Sequence, residues 1–259
     1  MSEIEHHYGD RVHVLDDPFL TTQLARLCTD AVAQPEFNQL ISTLYTSLIR
    51  TVINTVYPLK TVEMNTRMKS FTPRGVFRGK VVDRDTASVV VDIARAGILP
   101  SQICFDTLNG ILNPKVVRQD HLIMARTVDG DDQVTGAAIT GKKIGGSVDD
   151  RIVLFPDPMG ATGNSLATAM HNYTNGDIGV PRQLVALNLI ITPEYIRTLT
   201  ERFEHVRIFA IRVDRGMSPP DVLNSMPGAH WDRESGLNDK QYIVPGGGGF
   251  GELMNNSWV

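Results

Sequence analysis

The sequence predicts an α/β fold, a parallel doubly wound sheet with helices on both faces. Three observations carry that prediction. Short apolar runs rich in valine, isoleucine and leucine recur at Ser88–Ile93, His121–Ala125, Ile152–Phe155, Gln183–Ile191 and Val206–Val213, as strands buried on both faces require. Segments with helical spacing separate several of them, which argues for crossover connections and so for parallel pairing. Polar residues stand at three of the strand ends, Arg95, Arg126 and Asp157, and open α/β sheets bind ligands beyond such ends.

Residues 1–18 are polar and read as a tail, with His6-His7 a solvated pair rather than a metal site. From Phe19 to Ala33, Leu20, Leu24, Leu27, Cys28 and Ala31 recur at helical spacing. Pro35 opens a second helix, with Phe37, Leu40, Ile41, Leu44, Leu48, Ile49 and Ile53 on one face, ending near Tyr57-Pro58. Residues 60–87 alternate charged and apolar character, broken at Gly75 and Gly79. Leu99 to Leu112 reads as a helix with Pro100 near its first turn, where a missing N–H costs nothing. Residues 127–150 are rich in Gly, Asp, Thr and Ser without periodicity, and read as a long loop of the functional kind. Within them Lys142-Lys143 reads first as a solvated basic pair and second as a phosphate contact. Thr192-Pro193 is an N-cap followed by a first-turn proline, opening a helix over 193–204.

The most informative stretch runs from Arg151 to Tyr173. Pro156 and Pro158 stop the strand because neither can donate to a ladder. Gly160-Ala-Thr-Gly163 follows, then a helix-compatible run from Asn164. The first amides of a helix lack internal partners and sit at the positive end of its dipole, so they suit a phosphate. Thr162 and Ser165 add hydroxyl donors. Asp157 would repel a phosphate but accepts hydrogen bonds from sugar hydroxyls, which suits a ligand carrying both. The Gly-Lys-Ser/Thr ending of a Walker A loop is missing.

Asp157-Pro-Met-Gly-Ala-Thr-Gly-Asn-Ser165 resembles the phosphoribosyl-pyrophosphate (PRPP) loop of type I phosphoribosyltransferases, and its Asp-Pro-Met form is similar to that of uracil phosphoribosyltransferases. Arg95-Ala-Gly97 upstream and Gly236-Leu-Asn-Asp-Lys-Gln-Tyr-Ile-Val-Pro-Gly246 downstream agree, in the family's order. The resemblance implies a single domain that transfers phosphoribosyl from PRPP to uracil, giving UMP and pyrophosphate, with Mg²⁺ bound alongside PRPP. It implies that Arg95 and Arg126 grip the pyrophosphate and that Asp157 orients the ribose. Pro158, Met159, Gly160, Ala161, Thr162, Gly163, Asn164 and Ser165 then form the phosphate cradle. Ile243 and the turn Gly248-Gly249-Phe250 read the base, and Gly249 also lies on the PRPP side. Residues 127–150 become a mobile hood that closes over PRPP, and the N-terminal helices help build a homodimer or higher homo-oligomer.

The sequence departs from the family in three places. Thr127-Val-Asp-Gly-Asp-Asp132 follows Arg126 where the family has Asn and acidic residues. Residues 215–235 form an insertion, read as a surface feature that includes His230-Trp231. Gly246-Gly-Gly-Gly-Phe-Gly251 replaces Gly-Leu-Gly-Asp-Ala-Gly, so Gly249 stands for an aspartate and Phe250 for an alanine. A missing carboxylate and a ring in the space expected for the base predict low uracil activity. Two classes stay open: an active transferase, and a non-catalytic PRPP or nucleotide binder kept as a regulatory or structural subunit.

Composition bounds the rest. A hydrophobic share of 42% in 259 residues supports a proper core, and a formal charge of −4 gives no basis for general nucleic-acid affinity. No apolar run reaches membrane-helix length, and the start lacks the basic and apolar regions of a secretory signal, so a soluble cytoplasmic protein is expected. Cys28 and Cys104 give neither a disulfide framework nor metal spacing, and are expected to be reduced and buried.

Overall fold

The computed structural model describes residues 2–128 and 134–258, with side chains omitted at 126–128 and 134–137. Among these residues the chain forms one eight-stranded sheet and a separate two-stranded hairpin. In chain order the elements begin with β1 (Val12–Val14), α1 (Pro18–Leu27), α2 (Glu36–Val56), β2 (Leu59–Asn65), β3 (Val76–Val82), β4 (Ser88–Ala94), α3 (Ile98–Ile111), β5 (Val117–Val128) and β6 (Val134–Lys143). They continue with β7 (Ile152–Pro156), β8 (Met159–Gly160), α4 (Asn164–Thr174), β9 (Gln183–Ile191), α5 (Pro193–Arg202), β10 (Val206–Val213), α6 (Pro220–Leu223) and α7 (Phe250–Asn255).

The sheet order is β1-β10-β9-β7-β4-β5-β6, with β8 also pairing β9. All pairs are parallel except β5 with β6. Alternate side chains along the strands feed two cores. Val90, Leu154, Val185, Leu187 and Phe209 pack against α1, α2, α3 and α7. Val89, Val91, Val153, Phe155, Ala186 and Ile208 pack against α4 and α5 on the opposite face. Burial on both faces explains why Val89–Val91 of β4 and the whole of β7 read as continuous apolar runs rather than alternating ones. From β4 the chain proceeds to β5 on one side, and from β7 it proceeds to β9 and β10 on the other. The crevice between β4 and β7 is thus the topological switch point.

Caps fix two of the helices. Asp17 accepts from the Leu20 amide at 3.1 Å, and Thr192 accepts from the Tyr195 amide at 3.1 Å, each just ahead of a first-turn proline. No described helix is long and apolar enough to cross a membrane.

Three stretches differ from their sequence reading. The polar N-terminal segment is no tail: β1 pairs β10, Glu3 bridges Leu15, and Tyr8 is buried. Its hydroxyl donates to Glu234 at 2.5 Å, and its ring meets Trp231 edge-on at 5.3 Å. The pattern RVHVL at 11–15 hid a three-residue strand, too short to show periodicity. The 215–235 insertion is likewise anchored: Arg215 pairs with buried Glu234 at 2.7 Å, and Val222 is fully buried. Within 127–150, β6 lies antiparallel to β5 where a structureless loop was expected. The small, polar residues of β6 occupy a sheet edge, where they need not alternate with an apolar face. Residues 129–133 of that stretch lie outside the described residues. Cys104 is buried, but Cys28 is only half-buried, with its sulfur 3.9 Å from Arg212 Nη1.

Candidate active site

β7 carries Asp157 to the mouth of the crevice. The Asp157 amide donates to Leu187 O at 3.0 Å, and its carbonyl accepts from Asn188 Nδ2 at 2.6 Å. Its carboxylate accepts from the Met159 amide at 3.1 Å. Burial pushes that carboxyl up to about 6, against the lowering effect of the Met159 amide.

The loop that follows turns its carbonyls into the protein. Pro158 O accepts from the amides of Leu189 and Ile190, and Gly160 O from the amide of Thr192. Ala161 O accepts from Thr192 Oγ1 at 2.6 Å, and Thr162 O from Thr198 Oγ1 at 2.7 Å. With the acceptors consumed, the outer surface of the turn is left to donors. Among the described residues, the amides of Thr162, Gly163 and Ser165 have no acceptor in the protein. Gly163, at φ +80°, is the residue preceding α4, a conformation side chains rarely tolerate. A Cβ on Gly160 would lie 2.9 Å from the Tyr195 ring, so that ring fixes how deeply the loop sits. Tyr195 is held in turn by Asn188 Oδ1 at 2.7 Å.

Across the crevice, the turn Arg95-Ala96-Gly97 follows β4. A Cβ on Gly97 would lie 3.1 Å from Pro156 O, so this turn abuts the end of β7 beside Asp157. Arg95 Nη1 donates to Ser257 O at 3.2 Å and Ser257 Oγ at 3.0 Å, and Nη2 to Glu252 Oε1 at 3.3 Å. α7 starts over the same turn, since a Cβ on Gly251 would lie 3.6 Å from that of Ala96. Three separate sequence motifs therefore meet at one mouth.

The C-terminal tail reaches this place through a cis Val244–Pro245 peptide and several long-range ties. Asp214, 2% exposed, accepts from Arg212 Nε at 2.6 Å and Nη2 at 2.8 Å, and from the Gly246 amide at 2.8 Å. Arg212 Nη2 also donates to Gly246 O at 2.9 Å. Glu194 accepts from the Gly236 amide and from Ser235 Oγ. Gly216 N donates to Val244 O.

Of the residues named from sequence, the structure brings together the Arg95 turn and the loop from Asp157 to Ser165, with Gly249 beside the Glu252 carboxylate that reaches Arg95. Ile243 is half-buried against the core on the α2 side. Arg126 lies on β5, its backbone paired opposite Ala137. Phe250 corrects the reading of an aromatic ring in the base space: it is 1% exposed and stands edge-on to Phe37 at 5.3 Å. As the first residue of α7 its side chain drops into the core, because Gly249 turns the chain there. Lys142 and Lys143 are exposed, as the solvated reading has it. The sequence reading missed Asn188, Thr198, Asp214 and any contact from Glu252 to Arg95. Asn188 had a visible signal, a lone amide inside the apolar run Leu184–Ile191.

A crevice at the switch point of a mostly parallel sheet, flanked by N-terminal helices on one face, defines the type I phosphoribosyltransferase fold. The chain belongs to the uracil phosphoribosyltransferase family, whose model matches residues 14–233. That match ends before the C-terminal tail. A uracil phosphoribosyltransferase of Acidovorax sp. (strain JS42) is 27% identical over 244 residues, 94% of this chain and 97% of that protein. One from Dictyoglomus thermophilum is 26% identical over 94% of this chain and 98% of its own length. Among solved structures, the AQ2163 protein from Aquifex aeolicus superposes with a TM-score of 0.71 at 20% identity, covering 96% of this chain and 99% of that one.

Proposed function

We propose that the protein transfers phosphoribosyl from PRPP to uracil, giving UMP and pyrophosphate. One observation carries this reading: a turn with its carbonyls bonded inward and its amides open, beside Asp157 and the Arg95 turn. Thr162, Gly163 and Ser165 amides, with the hydroxyls of Thr162 and Ser165, would hold the 5′-phosphate at the start of α4. Asp157 would accept from the ribose hydroxyls. Arg95, and Arg126 from β5, would take the pyrophosphate. The main chain around Ile243 and Gly248–Phe250 would read the base.

Displacement at C1 passes through an oxocarbenium-like state, which calls for positioning and charge stabilisation more than for a protein nucleophile. Magnesium fits these residues only as an ion held largely by the ligand's phosphates. Asp157 and Glu252 offer oxygen donors at the mouth, and no cluster of three acidic, histidine or cysteine side chains occurs among the described residues. When bound, the ion supplies neutralisation of the pyrophosphate charge.

A second reading, a non-catalytic binder, is favoured by one observation: Gly249 offers no side chain to the ligand. Calorimetry with PRPP and UMP, followed by a steady-state assay of UMP formation from uracil and PRPP, separates the two. Binding with turnover supports the transferase, binding without turnover the binder, and no binding of either ligand rejects both.

A further inference from the structure

Arg95 is engaged by the last turn of the chain. Three of the bonds at its guanidinium go to Ser257 and Glu252, and among the described residues its Nε–H has no protein acceptor. An arginine carries five N–H groups, so donors remain for an incoming anion. The Glu252 carboxylate also lies over Gly249: a Cβ there would meet Glu252 Oε2, and the flexible end of the glutamate would have to swing aside. Gly249 is the residue before α7, and Glu252 is the third residue within it. Those two positions face each other at a helix start, and a glutamate there reaches back over the preceding turn. The glycine leaves the room that the glutamate occupies.

We infer that Glu252 is the positioning residue of Arg95, presenting from α7 a carboxylate in the space that a side chain at position 249 would otherwise take. The inference rests on the reading of Arg95 as the pyrophosphate ligand. The ion pair is a poor source of fold stability, because both side chains are about one-third exposed, at 37% and 32%. Its effect lies in orientation. A free arginine samples many rotamers, and holding one of them beside the Asp157 mouth removes an entropic cost from anion binding. Ser257 steadies the Nη1 side, and Glu252 supplies the charge that sets the direction.

The test uses the full chain with magnesium present, and compares wild type, Glu252→Ala, Glu252→Gln and the double variant Gly249→Asp with Glu252→Ala. Inorganic pyrophosphate and UMP are titrated separately by calorimetry, with thermal melts to confirm folding. Glu252→Ala is expected to weaken pyrophosphate binding and raise the KM for PRPP about tenfold, the scale of one charged hydrogen bond, while UMP affinity stays within twofold. Glu252→Gln is expected to fall between. Restoring a carboxylate through Gly249→Asp is expected to recover most of the loss. Unchanged or tighter pyrophosphate binding by Glu252→Ala would show a competing latch and overturn the inference. So would an equal loss for UMP, or a double variant no better than Glu252→Ala. Wild type that binds neither UMP nor pyrophosphate would overturn the phosphoribosyl reading itself, and this inference with it.

Discussion

The phosphate loop at 157–165 and the C-terminal tail at 243–252 face the same mouth but are held by different means. The loop is fixed by neutral side chains bonding its main chain: Asn188 from β9, Thr192 at the cap of α5 and Thr198 within α5. The tail is fixed by charge over longer reach: Asp214 and Arg212 at the end of β10 hold Gly246, and Glu194 at the start of α5 holds Gly236, whose carbonyl takes the Val244 amide. Neutral bonds to a main chain make a shape that shifts little with pH or salt. A tail pinned through carboxylates, one of them the buried Asp214, depends on each keeping its partner, and so is the more fragile of the two.

Phe250→Ala sharpens this contrast most. The ring is buried against Phe37, so its removal should cost about 3–5 kcal/mol, the usual range for a core phenylalanine. Urea unfolding measures this, and a loss below about 1 kcal/mol would return the ring to the base side. Asp214→Ala should follow, at about 3 kcal/mol, because it strands Arg212 and frees the Gly246 amide. Hydrogen exchange at 243–252 should rise well ahead of that at 157–165; equal rises would erase the distinction.

Asp157→Asn tests the loop. Losing a charged acceptor for the ribose should weaken PRPP and UMP binding by about ten- to a hundredfold, and unchanged affinity for both would remove Asp157 from the site. The smallest expected effect is on pH dependence. The folded carboxyl of Asp157 titrates at about 6, above its ordinary value of 3.8, because burial disfavours its charge. Its relative contribution to stability is therefore present below about pH 4 and lost as pH rises through about 6. Asp157→Asn should accordingly be more stable than wild type at pH 8 and equal to it at pH 3.5. Thermal melts at the two values decide this, and an advantage at low pH only would reverse the sign.

Much of the fold was legible because its signals are local. β9 runs over the residues expected of it, Gln183–Ile191, and the cap at Thr192 works as its sequence suggests. The Asp157 loop was readable for the same reason: its glycines, hydroxyls and helix start are contiguous. What escaped were features made by residues far apart. β1 is three residues long and exists only because β10 offers it an edge. β6 carries no apolar alternation because it closes the sheet at its other edge. Phe250 looked like an obstacle at the site because sequence places it beside Gly249 but cannot say on which side of the turn its ring falls. The Arg95–Glu252 pair joins positions more than 150 apart, with no spacing rule to announce it.

The short strand β1 has a practical consequence for handling the protein. It is the cover on β10, whose outer edge would otherwise present the main chain of Ile208, Phe209 and Ala210 to any passing strand. Trimming residues 1–17 as a dispensable leader would uncover that edge. It would also take Tyr8 from Glu234 and from Trp231, loosening the insertion in the same cut. A shortened protein should thus be lost to aggregation during purification before its chemistry can be assayed, and solubility tags belong where they do not peel β1 from the sheet.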